Sequence, residues 1–212
     1  MVHDAEKPDA KSVADVPPFA FIGKFASGKG LYADELIRSL KSEFHIEVYK
    51  VPSFSAKIKE VAAELFDEGL ANDRTVWQRL GNMMRQIDRQ VWAKVLIRKI
   101  AGEKATAFVV EGFRDPEELR AFRDRFPEML VIRIDTDPGK RMEVYKKRYG
   151  SYPTKEQIEH DTEKAIDTMD ADIALFNDYT KDTLKRQLDG IVSALKAGSM
   201  DELLIHKNNS KG

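Results

Sequence analysis

Short apolar runs alternating with longer helical patterns leave few architectures open to this chain. The runs are Phe19-Ala20-Phe21-Ile22, Ile46-Glu47-Val48-Tyr49, Ala107-Phe108-Val109-Val110 and Met129-Leu130-Val131-Ile132-Arg133-Ile134, with a weaker one at Ile173-Ala174-Leu175-Phe176. Three or four of these are expected to be central, buried strands. Helical patterns are expected at about 29–42, 55–70, 74–101, 115–125, 138–149, 154–168 and 180–197. That order implies an α/β fold with a mostly parallel sheet, because successive parallel strands need a crossover long enough to hold a helix. A length of 212 residues favours one compact domain over two. Residues 1–16 are polar and end at Pro17-Pro18, and 206–212 have nothing to bury. Both stretches are expected to be flexible tails around a domain at 17–205.

Composition removes several classes of function. The chain is 42% hydrophobic and 33% charged, apolar enough to fold and too charged for a membrane protein. No run approaches the roughly 20 apolar residues of a membrane span. The order Met1-Val2-His3-Asp4-Ala5-Glu6 is not that of a secretory leader, so a cytoplasmic location is expected. With no cysteine, disulfides, thiolate metal sites and cysteine nucleophiles are excluded, and four scattered histidines offer little to a transition metal. A net charge of -1 argues against nucleic acid or an anionic membrane as a whole-surface partner, so an anion site has to be local.

One local site is marked by Gly23-Lys24-Phe25-Ala26-Ser27-Gly28-Lys29-Gly30, lying between the first apolar run and a helical pattern. The segment fits the phosphate-binding pattern Gly-x-x-x-x-Gly-Lys-[Ser/Thr] at all but its last position. Glycines let backbone N–H groups curl around a phosphate, Lys29 supplies a charge to the β- and γ-phosphates, and the next helix points its positive end at the anion. Gly23, Lys24, Ala26, Ser27, Gly28, Lys29, Gly30 and Leu31 are the candidate residues for holding ATP. Gly30 replaces the hydroxyl that ordinarily ligates Mg²⁺, so the ion would rely on phosphate oxygens, waters and a carboxylate elsewhere. Two readings follow: a kinase with a water-rich Mg²⁺ site, or a nucleotide binder without catalysis. The first is favoured because further charged groups are present.

Glu111 ends the 107–110 run and would sit beside the glycine loop in a parallel sheet, where it can hold Mg²⁺ or orient the attacking group. Arg114 can clamp a phosphate with two hydrogen bonds. Asp115-Pro116 has the form of a helix N-cap with proline at the first helical position. The 74–101 pattern predicts one long core-facing helix on Val76, Leu80, Met83, Met84, Ile87, Val91 and Val95. It carries Arg74, Arg79, Arg85, Arg89, Lys94, Arg98 and Lys99 against Asp88 alone, seven minus one or +6. Arg85, Asp88 and Arg89 would share a side of that helix and seek an external anion. Ser53, Ser55, Lys57 and Lys59 can line a substrate pocket, although capping explains the serines equally well. Trp77 and Trp92 are at core spacing. A basic helix holding Lys140, Arg141, Lys146, Lys147 and Arg148 precedes Tyr149-Gly150-Ser151-Tyr152-Pro153. It suits a hinged lid that brings Arg141 and Arg148 onto a transferring phosphoryl group.

With these segments in place, the chain resembles the P-loop nucleoside monophosphate kinases, most closely the phage-type deoxynucleoside monophosphate kinases and their dephospho-coenzyme A kinase relatives. The resemblance spans roughly residues 19–195. It rests on the loop at 23–30, Ser55-Ala56-Lys57-Ile58-Lys59-Glu60-Val61, Thr75 through Asn82, Ile87-Asp88-Arg89-Gln90-Val91-Trp92, Val109-Val110-Glu111-Gly112-Phe113-Arg114 and Ala171 through Asn177. It implies a three-layer α/β fold of about five parallel strands, a helical substrate-binding region at 53–100 and a lid at 139–153. It implies MgATP as donor, Lys29 on the ATP phosphates, and Arg85, Asp88, Arg89 and Arg114 on the acceptor side. Gly30, a Glu at 111 where Asp is common, and a lid without a dense arginine set depart from the family pattern.

The expected function is ATP-dependent phosphoryl transfer to a nucleoside or deoxynucleoside monophosphate, or a similar small phosphorylated acceptor. Lys29, Glu111, Arg141 and Arg148 are the expected catalytic set, Glu111 the metal ligand, and Lys59, Arg85, Asp88, Arg89 and Arg114 the acceptor set. Rival acceptors are the hydroxyl of dephospho-coenzyme A or a modified base already in DNA, the latter using the basic helix. A non-catalytic ATP-binding module is the rival of another class. Trp77 and Trp92 leave a homodimer interface open.

Overall fold

The computed structural model describes residues 16–103, 107–159 and 161–204. Five strands form one sheet: β1 (Phe19–Ile22), β2 (Tyr49–Lys50), β3 (Phe108–Glu111), β4 (Leu130–Asp135) and β5 (Ile173–Phe176). Their order across the sheet is β2-β3-β1-β4-β5, and every adjacent pair is parallel. The expected three-layer fold with about five parallel strands is the observed one.

Alternation along the strands divides the core in two. Ala20 and Ile22 of β1, Phe108 and Val110 of β3 and Val131 of β4 face one layer. That layer is built from α2 (Phe54–Leu65), α5 (Val91–Gly102), α6 (Pro116–Arg125) and Ile166 of α9 (Asp161–Asp167). Phe19, Phe21, Val109, Ile132 and Ile134 face the other, where α1 (Lys29–Phe44) and α10 (Lys181–Ala197) lie side by side. Strands buried on both faces are why these runs are continuously apolar. The short helices α3 (Glu68–Ala71) and α8 (Lys155–Glu159), together with α4 (Arg74–Ile87) and α7 (Pro138–Tyr149), complete the described helices.

Several expectations need correction. The helix expected at 55–70 is two, α2 ending at Leu65 and α3 starting at Glu68, where the Asp67 side chain caps a new first turn. The 46–49 run is buried at Ile46 and Val48, but the ladder begins only at Tyr49, so apolar character there reports packing under the sheet edge and not pairing. The predicted helix at 74–101 is two helices. Asp88 takes an extended conformation (φ -149°, ψ 109°) and its Oδ1 accepts the Gln90 N–H at 2.9 Å, a local bond that competes with the helical ladder. The break resets the buried face. Met83 and Ile87 are exposed, and α5 buries Trp92, Ala93, Leu96 and Ile100 in place of Val91 and Val95. Trp92, on the core side, donates to the Gly81 carbonyl at 3.2 Å.

The proposed tails lie outside the described residues except for Val16, which is buried in the cluster under α1 and α10. Among the described residues no helix is long and apolar enough to cross a membrane.

Candidate active site

The carboxyl ends of β1, β3, β4 and β5 open on one edge of the sheet, and the glycine loop leaves β1 there. Gly23 has φ +150°, and a Cβ on it would lie 2.7 Å from the Ile134 carbonyl and 2.8 Å from Ser27 Oγ, so only glycine fits. Ala26 also has a positive φ. Gly28 is the α1 N-cap at φ +92°, and a Cβ there would come within 2.4 Å of Asn177 Nδ2.

Among the described helices of ten residues or more, only α1 and α5 begin without a side-chain cap, and of these two α1 is the one that follows the glycine loop. Side chains of Ser53, Asp73, Asp115, Asp137 and Thr180 cap α2, α4, α6, α7 and α10. At α1 no side chain caps the helix and its first turn holds no acid. Orphan N–H groups and the positive end of the helix are therefore left facing the loop, the arrangement that receives an anion. Ser27 Oγ is buried with no partner among the described residues.

Lys29 folds back over the loop, donating to the carbonyls of Gly23 and Lys24, both at 2.7 Å. Burial, with the Arg114 charge next in weight, lowers its ammonium pKa to about 7, against partial support from Glu163 and Glu111. An entering phosphate would restore the charge. The Glu111 carboxylate reaches the same place from β3. A Cβ on Gly30 would lie 3.3 Å from its Oε1 and 3.5 Å from its Oε2.

Two further segments fix the loop. Asn177, after β5, is buried and donates to the Ser27 carbonyl at 2.9 Å, while Tyr179 Oη donates to Ala26 O at 3.0 Å. From α7, the buried Arg141 guanidinium lies 4.6 Å from the Phe25 ring centroid, and Tyr145 meets that ring edge-on at 5.2 Å. Arg141 Nη1 has no partner among the described residues. A cleft of about 150 Å³ between β4 and the loop is lined by Gly23, Lys24, Ser27, Thr136, Arg141 and Asp167. Arg148 is exposed, its guanidinium over Tyr149, and Leu31 is exposed beside the loop.

The acceptor-side candidates are more fully paired than their sequence suggested. The acids missing from 74–101 come from α6. Glu118, fully buried, accepts from Arg85 Nε at 2.9 Å and from the backbone N–H of Arg114 and Asp115. Burial nevertheless holds its carboxyl above the usual carboxylate range. Asp115 takes both guanidinium bonds of Arg89, at 3.0 and 2.8 Å, and with Glu118 completes a capping box on α6. Asp88 sits in the turn between α4 and α5, where it accepts Lys94 at 2.8 Å and pairs with no arginine among the described residues, so the shared helical side for Arg85, Asp88 and Arg89 does not form. Lys59 lies 4.3 Å above the Trp77 ring. Arg114 donates to Glu163 at 2.6 Å.

Asn177, Tyr179 and Glu163 were not singled out as site residues in the sequence. Asn177 has a legible signal, a polar residue just past a strand end, whereas Glu163 lies in an ordinary charged helix and gives none.

No protein family model and no curated protein matches this sequence. Solved structures do. Shikimate kinase from Aquifex aeolicus is 14% identical with a TM-score of 0.50, covering 86% of this chain and 98% of that one. Shikimate kinase from Bacteroides thetaiotaomicron is 14% identical at 0.50, covering 85% and 98%. TT1252 from Thermus thermophilus is 15% identical at 0.51, covering 85% and 98%. The chain shares its fold with these shikimate kinases. At these identities the likeness is one of fold, and it does not single out the nucleoside monophosphate or dephospho-coenzyme A kinases.

Proposed function

We propose that this protein transfers the terminal phosphoryl group of ATP to a small phosphorylated acceptor, a nucleoside or deoxynucleoside monophosphate. The observation that carries this reading is the uncapped, acid-free N-terminus of α1 behind the glycine loop, with buried Lys29 folded over that loop, a cation whose charge an entering phosphate would support. Arg141 above Phe25 and Arg114 after β3 both act electrostatically on Lys29, which supports a role for two further cations in handling phosphate charge.

In the reaction, an acceptor phosphate oxygen forms a bond to the γ-phosphorus as the bond to the β–γ bridging oxygen breaks, and ADP carries that electron pair away. The loop amides and Lys29 hold the donor phosphates, Arg114 orients the acceptor, and Arg141 faces charge that develops between them. Little else is asked of the protein, because positioning and charge neutralisation dominate such transfers.

The residues present fit a Mg²⁺ ion of mostly water and phosphate ligation. Glu111 reaches toward the first turn of α1, into the space that a side chain at 30 would otherwise fill, and would be the protein carboxylate that holds the ion. When bound, Mg²⁺ would neutralise charge on the donor phosphates.

The test is an assay of ADP release across the common ribo- and deoxynucleoside monophosphates. One strongly stimulated acceptor is expected; flat rates throughout would remove the monophosphate-kinase reading. Because Gly30 favours it, the non-catalytic alternative has its own signature, ATP binding with no transfer to any acceptor.

A further inference from the structure

An acid sits among groups suited to anions. Glu163, on α9, has a side chain 8% exposed. Its Oε2 accepts the Phe25 N–H of the glycine loop at 2.9 Å, and its Oε1 accepts Arg114 Nη1 at 2.6 Å. Its negative charge also supports the Lys29 ammonium. Four residues on, and so on the same face of α9, Asp167 Oδ2 lies 2.9 Å from Lys24 Nζ. One carboxylate thus bridges a loop amide, on the donor side of the proposed reaction, and an arginine on the acceptor side.

A carboxylate and a phosphate make the same demand on a guanidinium and an amide, two oxygens accepting charge-assisted bonds. They cannot be bound there together without bringing like charges into contact. We propose that Glu163 is a resident surrogate for substrate phosphate: in the free protein it holds Arg114 and the Phe25 amide in place, and it withdraws when phosphate enters. The inference rests on the reading of residues 23–30 as a phosphate loop. It makes Glu163 a positioning residue that sets the phosphate concentration at which the site fills, with α9 the element that has to move.

The probe is inorganic tripolyphosphate, titrated calorimetrically into the full chain at fixed pH and ionic strength. Glu163→Gln removes the competing charge and is expected to bind about tenfold more tightly than wild type. Glu163→Asp keeps the charge but is one methylene too short to span both partners, and is also expected to bind more tightly, which covers a Gln variant that fails to fold. Exchange of the Phe25 amide gives a second readout: slow in the free wild type, faster in free Glu163→Gln, and slow again once tripolyphosphate is added. Binding to wild type as tight as to both variants overturns the inference alone, as does a Phe25 amide indifferent to Glu163. Tripolyphosphate that binds neither wild type nor variants overturns the phosphate loop itself.

Discussion

Lys29 is a cation held close to losing its charge. Its pKa is lowered to about 7 in the fold, against an ordinary value near 10.5, so between those values the unfolded chain holds a proton that the folded one does not. Stability therefore rises with pH across that window, and the full cost of burying the charge is present below about pH 7. The melting temperature of wild type should gain on that of Lys29→Met as pH is raised from 7 to 9.5; a constant difference would contradict the depressed pKa. Phosphate binding should reverse the shift. Calorimetry of ATP binding at pH 8 in buffers of different ionisation enthalpy should show net proton uptake, absent in Lys29→Met. Gly28 makes a second residue-scale demand. Alanine there is strained at φ +92° and drives its Cβ into the Asn177 amide, so Gly28→Ala should cost about 1–3 kcal/mol in urea unfolding and weaken ATP binding. Glycine's role at 23 and 28 was legible, because a phosphate loop specifies where the backbone must turn. The clamp from Asn177 and Tyr179 was not, since nothing local ties those residues to a loop about 150 positions away.

At the scale of elements, α6 organises the proposed acceptor side. Its N-terminal acids hold Arg85 from α4, Arg89 from the turn before α5, and the backbone of Arg114 after β3. Glu118→Ala would leave Arg85, itself only 12% exposed at its side chain, without its buried partner. The expected loss is about 3–5 kcal/mol, read by chemical denaturation, whereas Arg89→Ala on the exposed Asp115 pair should cost under about 1 kcal/mol. If the two cost the same, α6 is not an anchor. The strands and most helix ends were readable because burial on both faces and N-cap residues write themselves into local composition, as at Phe19–Ile22 and Asp115-Pro116. The break at Asp88 escaped because apolar periodicity continues on both sides of it, and a single Asx bond decides against one long helix. The +6 imbalance misled for a related reason: charge counted along one segment ignores the acids that another element brings to it.

For the molecule as a whole, the two helical layers meet the ligand edge through different partners. The loop leads into α1 and its clamp into α10, whereas the arginines of the proposed acceptor side come from α4, the turn before α5 and the segment after β3, with α6 holding them. Ligand that binds across this edge should stabilise the entire fold. ATP at a hundred times its Kd should add about 2.7 kcal/mol, roughly 5–10 °C in Tm for a chain of this size. Asn177→Ala should lose most of that shift while retaining a cooperative transition; an undiminished shift would show that the clamp does not shape the site.

The Asn177–Ser27 bond also has a consequence in time. A ribosome adds about 5–20 residues per second, so the glycine loop emerges roughly 8–30 s before the asparagine that braces it. Through that interval β1 and α1 exist without their last support. Nucleotide that met the loop in that interval would lack the Asn177 contact, so full affinity is expected only after residue 177 has emerged.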